Sequence, residues 1–320
     1  MTTDEILTGV GLMVALAVGS QILAKMLRIP AIVVLLPVGF VAGALSDEID
    51  PTNIVGSAFG PLVSLAVAVI LFDSGVGLDV RRLTGGIRGV VTRLIVLGVP
   101  ITWAIVALSA VSFLGMSSEA AVMLGAIVVV SGPTVVGPLL SFVRPSRRVQ
   151  TVLAWEGSVI DPTGAILGTL TFHAIVAGGY EVGQFLASFA VGLAGGVVGT
   201  AVLWVLLRYL RLSGVLGTLG TFATVIAVAA ACDIARDDTG LIAAILMGIA
   251  LANLPAFDSP AHRPFFETYV QLVIGVLFIS ISATVTPESV VDVLLPTLGL
   301  VAVLVVVARP LVALVATFRT

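Results

Sequence analysis

Charge is what this chain lacks most. Of 320 residues only 10% are Asp, Glu, Lys or Arg, 59% are hydrophobic, and the mean hydropathy is +1.22. A soluble domain carries about 25% charged residues, so a water-soluble globule is excluded. The 15 basic residues sit in short clusters at segment ends, which excludes a nucleic-acid surface. Cys232 is the only cysteine, so no internal disulfide can form; within an apolar stretch it reads as a small buried hydrophobe. The 2 histidines make no metal-binding cluster, and nothing resembles a Ser-His or paired-Asp catalytic centre, so the chain is not read as an enzyme. A removable signal peptide is not expected, because Asp4 and Glu5 stand where a basic stretch belongs and the first apolar run is of full length.

What is present is apolar sequence in lengths that cross a bilayer, for which about 20 residues suffice. Windows fall at about 6–26, 29–45, 60–79, 89–114, 119–143, 149–176, 183–209, 214–234, 239–254, 265–285 and 292–317, an expectation of eleven spanning helices. Alternate connections hold Lys25 and Arg28, Arg81, Arg82 and Arg88, Arg144, Arg147 and Arg148, Arg208 and Arg211, Arg263, and Arg319. The opposite connections hold Asp47, Glu48, Asp50, Glu119, Glu181, Asp237, Asp238, Glu288 and Asp292, with Arg236 as their only basic residue. Basic loops face the cytoplasm, which puts the N-terminus outside and the C-terminus inside the cell membrane. The regular alternation supports the helix count, since one missed helix would scramble it.

Leu71-Phe72 and Leu277-Phe278 lie 206 residues apart, each followed by small residues, Ser74 to Gly77 and Ser280 to Ala283. The preceding stretches, Ile32 to Ala44 with Gly39 and Gly43, and Leu241 to Ala252 with Gly248, match loosely. An odd number of crossings separates the copies, so they run in opposite directions, as in inverted-repeat transporters. The same shift carries Ser131-Gly132-Pro133-Thr134 to about position 337, past the last residue, so the chain is expected to be a fragment short of about two helices.

Two features point to an ion site. Ser131-Gly132-Pro133-Thr134 interrupts a membrane helix: Pro133 offers no amide and Gly132 permits unusual dihedrals. Freed backbone groups are tolerated in a bilayer only where they line a cavity or are buried in protein. With the hydroxyls of Ser131 and Thr134 they supply oxygen ligands for a hard monovalent cation, a transient Na⁺ or K⁺. The second feature is Asp161, a carboxylate in the middle of the apolar run from Val149 to Val176. An intramembrane acid is by default a functional site. Desolvation disfavours the bare carboxylate, so Asp161 would hold a proton or a cation and trade one for the other; Ser158 in the same helix is counted with this site. Glu156 lies about 140° round the helix from Asp161, and its expected partner is Arg309, deep in the last helix, as a structural ion pair. Asp73 and Arg93 lie near helix ends and are read as snorkelling, and His173 as interfacial. Gly192, Gly195, Gly196 and Gly199 form small-residue pairs that fit packing within the protomer and dimerisation equally well.

The motifs Ser131-Gly132-Pro133-Thr134, Glu156-Gly157-Ser158-Val159-Ile160-Asp161-Pro162 and Ala308-Arg309-Pro310 resemble the membrane domain of the monovalent cation/proton antiporter superfamily, in its sodium/proton exchanger branch, over essentially the whole chain. The resemblance implies an all-α membrane protein with the inverted-repeat antiporter fold and a broken transmembrane helix, about 11 of 13 helices being present. It implies core helices at about 60–176 and 265–320, dimerisation or scaffold helices at about 1–45 and 183–254, a homodimer among membrane lipids, and alternating access. Asp161 corresponds to the family's proton and cation carrier, Glu156 and Arg309 to its ion pair, and Ser131-Gly132-Pro133 to the family's Thr-Asp-Pro. Two departures, Ile160 before the carrier and Gly132 for the Asp of the break, leave fewer polar groups at the site. No cofactor is implied beyond the transported H⁺ and Na⁺ or K⁺. Exchange is expected to be electroneutral, and a cytosolic nucleotide-binding regulatory domain is expected beyond residue 320. The rival readings on this scaffold are a gated potassium efflux channel and a sodium-coupled solute symporter.

Overall fold

The computed structural model describes residues 3–45, 54, 56–78, 86–130, 132, 136, 140, 143–176, 182–237, 239–254 and 263–318. Its helices are α1 (Thr3–Leu27), α2 (Ile32–Leu45), α3 (Phe59–Val76), α4 (Gly86–Val96), α5 (Gly98–Leu114), α6 (Ser118–Val128), α7 (Arg147–Val176), α8 (Val182–Trp204), α9 (Gly214–Ala235), α10 (Thr239–Asn253), α11 (Arg263–Ala283), α12 (Pro287–Val303) and α13 (Arg309–Thr317). α4 and α5 meet at Leu97, and α12 runs through a wide π turn, Leu304–Ala308, into α13, so these helices form eleven segments in the order expected. Among the described residues seven segments are long and apolar enough to cross a membrane, and shorter apolar stretches lie in α2, α6, α10 and, at Ile166–Ile175, α7. Large apolar side chains stand on the outside, Val197 63%, Leu295 80% and Val306 70% exposed among them, as lipid in place of water permits. Threonine hydroxyls turn back onto the carbonyl four residues earlier, as in Thr163 to Val159 at 2.7 Å and Thr221 to Gly217 at 2.8 Å, so they need no water.

The repeat is visible in the backbone. Shifted by 206 residues, α2 falls on α10, α3 on α11, and α4–α5 on α12–α13, with ends agreeing to within about five residues. Packing repeats too: α2 packs on α11 as α10 packs on α3, and α1 on α2 as α9 on α10. Both crossings depend on glycine. A Cβ on Gly248 would fall on the Phe72 carbonyl, and one on Gly75 would lie 2.7 Å from the Ile245 carbonyl. Likewise a Cβ on Gly39 would sit 2.8 Å from the Ile279 carbonyl.

Packing sorts the described helices into two groups. α1, α2, α3 and α8–α11 pack mainly together, and α4–α7 with α12–α13 form the second, α7 meeting the first group through α3 and α10. In the first group α3 packs on the glycines of α10, and α11 on those of α2. The stripe Gly192, Gly195, Gly196 and Gly199 receives Ile242, Cys232, Leu246 and Met247 of the same chain, so it serves packing within the protomer. Replacing Gly248 by Ala is expected to lower stability by about 1–3 kcal/mol through overpacking against backbone. Gly299→Ala, where an added methyl meets nothing, is expected not to lower it; thermal unfolding in detergent reads both.

Candidate functional site

The helix expected at 119–143 is interrupted. Ser117 caps the start of α6, its hydroxyl accepting from the Ala120 amide at 3.3 Å. The regular ladder ends with the Val129 amide on the Gly125 carbonyl at 3.2 Å, and the Val130 amide then tightens onto the Ile127 carbonyl at 3.4 Å. Helical bonding resumes with the Val136 amide donating to the Gly132 carbonyl at 3.2 Å, and residue 136 is helical. Gly132 therefore lies where the second half begins. Ser131, Pro133 and Thr134 lie outside the described residues, as do the side chains of Asp161 and Ser158.

The break lies against the acid-bearing helix α7. Val129 shares a buried cluster with Ile160 and Val99, flanked by Ile95, Trp103 and Leu167. Val130 fills the space beside Gly164, where a Cβ would overlap its side chain. Residues 160 and 164 bracket Asp161 along α7, so the backbone holding the acid stands beside the residues that open the break. Pro162 adds a local consequence: lacking an amide, it leaves the Ser158 carbonyl without its usual helical donor, one turn before Asp161.

Glu156 and Arg309 meet. Arg309 Nη1 donates to Glu156 Oε1 at 2.8 Å, with the Glu156 side chain 6% and the Arg309 side chain 44% exposed. The backbone before Arg309 makes this possible. Pro310 would press its ring onto the Val306 carbonyl in a regular helix; the π turn, in which the Arg309 amide bonds the Leu304 carbonyl, opens that step.

Arg93, expected to snorkel, instead donates to the Phe318 carbonyl at 3.0 Å and lies 3.5 Å from the Ala316 carbonyl, which fastens α4 to the C-terminal end of α13. A cation there also suits the negative end of the helix dipole. Sequence reading passed over Asp233. Its Oδ2 accepts from Ser64 Oγ at 2.8 Å and its Oδ1 from the Gly240 amide at 2.7 Å, so one carboxylate ties α9 to α3 and caps α10. A carboxylate seven residues before the amide it accepts from carries no local capping signal. Among the described residues no group of three His, Cys, Asp or Glu could hold a metal ion.

Residues 12–320 match the family model described as "Sodium/hydrogen exchanger, transmembrane". The chain belongs to this family. Curated relatives include the K(+)/H(+) antiporter NhaP2 of Shewanella baltica, 27% identical over 311 residues, covering 93% of this chain and 52% of the relative. Another is the K(+)/H(+) antiporter NhaP of Alkalimonas amylolytica, 26% identical over 312 residues, covering 95% and 54%. The chain thus spans about half the length of the curated relatives it matches. The sodium proton antiporter MjNhaP1 from Methanocaldococcus jannaschii, in its structure at pH 8, superposes with a TM-score of 0.81 at 19% identity, covering 100% of this chain and 82% of that one. The likeness shows the exchanger fold, a multi-pass membrane architecture.

For this exchanger-family chain, Arg309→Ala strands a buried carboxylate. The expected loss is about 3 kcal/mol, the low end for a buried pair because Arg309 is itself partly exposed. Pairing it with Glu156→Gln should restore part of that stability in a thermal unfolding series.

Proposed function

We propose that this protein exchanges a monovalent cation, Na⁺ or K⁺, for H⁺ across the cell membrane by alternating access, with Asp161 carrying proton and cation in turn. The observation that carries the reading is the packing of Val129 and Val130, at the opening of the helix break, against Ile160 and Gly164 on either side of Asp161. A carboxylate at membrane depth needs a neutralising partner. The Glu156 carboxylate has Arg309; for Asp161 we assign this role to backbone carbonyls of the break, which would coordinate a metal cation and cannot supply a permanent charge. Proton and cation are then interchangeable companions. Ser131, Thr134 and Ser158 are assigned as further oxygen ligands, with Gly132 and Pro133 as the break itself.

One carrier carboxylate binding one charge of either kind makes the exchange electroneutral, one H⁺ for one Na⁺ or K⁺. We assign α4–α7 and α12–α13 to the moving body and the remaining helices to the scaffold of a homodimer. We assign the basic clusters, Arg144 to Arg148 among them, to the cytoplasmic side, and with it the N-terminus to the outside. The relatives' names, potassium/proton and sodium/proton antiporter, agree with this class of substrate.

In proteoliposomes, Asp161→Asn is expected to reduce cation-driven collapse of a pH gradient to the level of protein-free vesicles, while Glu156→Gln retains exchange if folded. Exchange surviving in Asp161→Asn would remove Asp161 from the carrier role. Transport driven by a membrane potential alone would exclude one-for-one exchange.

A further inference from the structure

The helix break is useful only at a fixed height beside the acid, and one side chain stands where that height is set. α5 and α6 form an antiparallel pair joined through Gly115, which ends α5 in the left-handed conformation with φ 63°, and Ser117, which caps α6. Across this pair the Trp103 indole Nε1 donates to the Val122 carbonyl at 2.8 Å. One turn on, Gly125 lies directly under the same residue: a Cβ there would sit 2.5 Å from Trp103 Cδ1 and 2.9 Å from its carbonyl oxygen. Val122, Gly125 and Val129 follow the three-four spacing of one helix face, and that face ends at the break. Trp103 also joins the cluster of Val99, Val129 and Ile160, so it touches the group that connects the break to α7.

We infer that Trp103 is a positioning residue for the ion site, locking the axial height and rotation of α6 so that the break at residues 129–132 faces α7 at Asp161. This rests on the cation/proton reading above. The indole is suited to the task. Its N–H addresses a single carbonyl on the neighbouring helix, and its rigid bicycle fills the space that glycine leaves at position 125. The hydrogen bond resists sliding of α6 along α5 and the Gly125 contact resists rotation, so together they fix both motions that would carry the break away from the acid. The Glu156–Arg309 pair ties α7 to the last helix, whereas the Trp103 hydrogen bond ties α5 to α6.

Two variants and a control test the assignment by cation-dependent proton exchange in proteoliposomes over a range of cation concentration and pH. Trp103→Phe keeps an aromatic ring and loses the N–H; the Val122 carbonyl keeps its place in the ladder of α6, so folding should survive. Gly125→Ala pushes against Trp103 from the other side. Both are expected to raise the apparent KM for the cation roughly three- to ten-fold, the effect of one lost or misaligned hydrogen bond. Both should shift the pH of half-maximal exchange, with the maximal rate little changed. Trp204→Phe, at a half-exposed site remote in sequence, should change neither. Wild-type KM and pH profile in a folded Trp103→Phe protein would overturn the positioning role while leaving the exchange reading intact. A wild-type protein without cation/proton exchange would overturn both.

Discussion

A carboxylate inside a bilayer is never left alone, and the rest of this structure is arranged around that constraint. Two acids lie on one long helix, five residues apart. Glu156 meets a permanent counter-charge in Arg309, brought into place by a π turn that also relieves the proline after it. Asp161 has beside it a stretch of chain where helical hydrogen bonding stops at Val130 and restarts from Gly132. A fixed cation makes the first acid structural. On the proposal made here, partial charges that accept a metal ion but cannot neutralise the acid outright leave the second one switchable.

The surrounding architecture supplies rigidity at small cost in side-chain volume. Glycines at the α3–α10 and α2–α11 crossings bring backbones together, and the twofold relation between the copies makes each crossing the counterpart of the other. The same relation pairs two irregular helices: α4 gives way to α5 at Leu97, and the counterpart begins its π turn at Leu304. Gly98 lies against Val312 Cγ1, so the two irregular helices touch near these points.

Much of this was legible in the sequence because the membrane makes sequence unusually literal. Bilayer thickness fixes the length of apolar runs, so the eleven segments could be counted. Charges are so few that Glu156 and Arg309 could be paired across 153 residues, and a Gly-Pro pair in an apolar run announces a break. What stayed hidden depends on tertiary contact. Arg93 looked like a snorkelling side chain because the carbonyls it caps belong to a helix end 225 residues away. Asp233 and Trp103 hold neighbouring helices through single hydrogen bonds, for which no spacing rule exists. The glycine stripe of α8 fitted two partners equally until α9 and α10 were seen to fill it.

The most direct test of a shared carrier is the dependence of apparent cation affinity on pH. If proton and cation occupy Asp161 in turn, the apparent KM for the cation in proteoliposomes should rise about tenfold for each unit of acidification once the proton dominates, while the maximal rate at saturating cation stays constant. An apparent KM that does not change with pH would mean that the two ions use separate sites, and the account would fail.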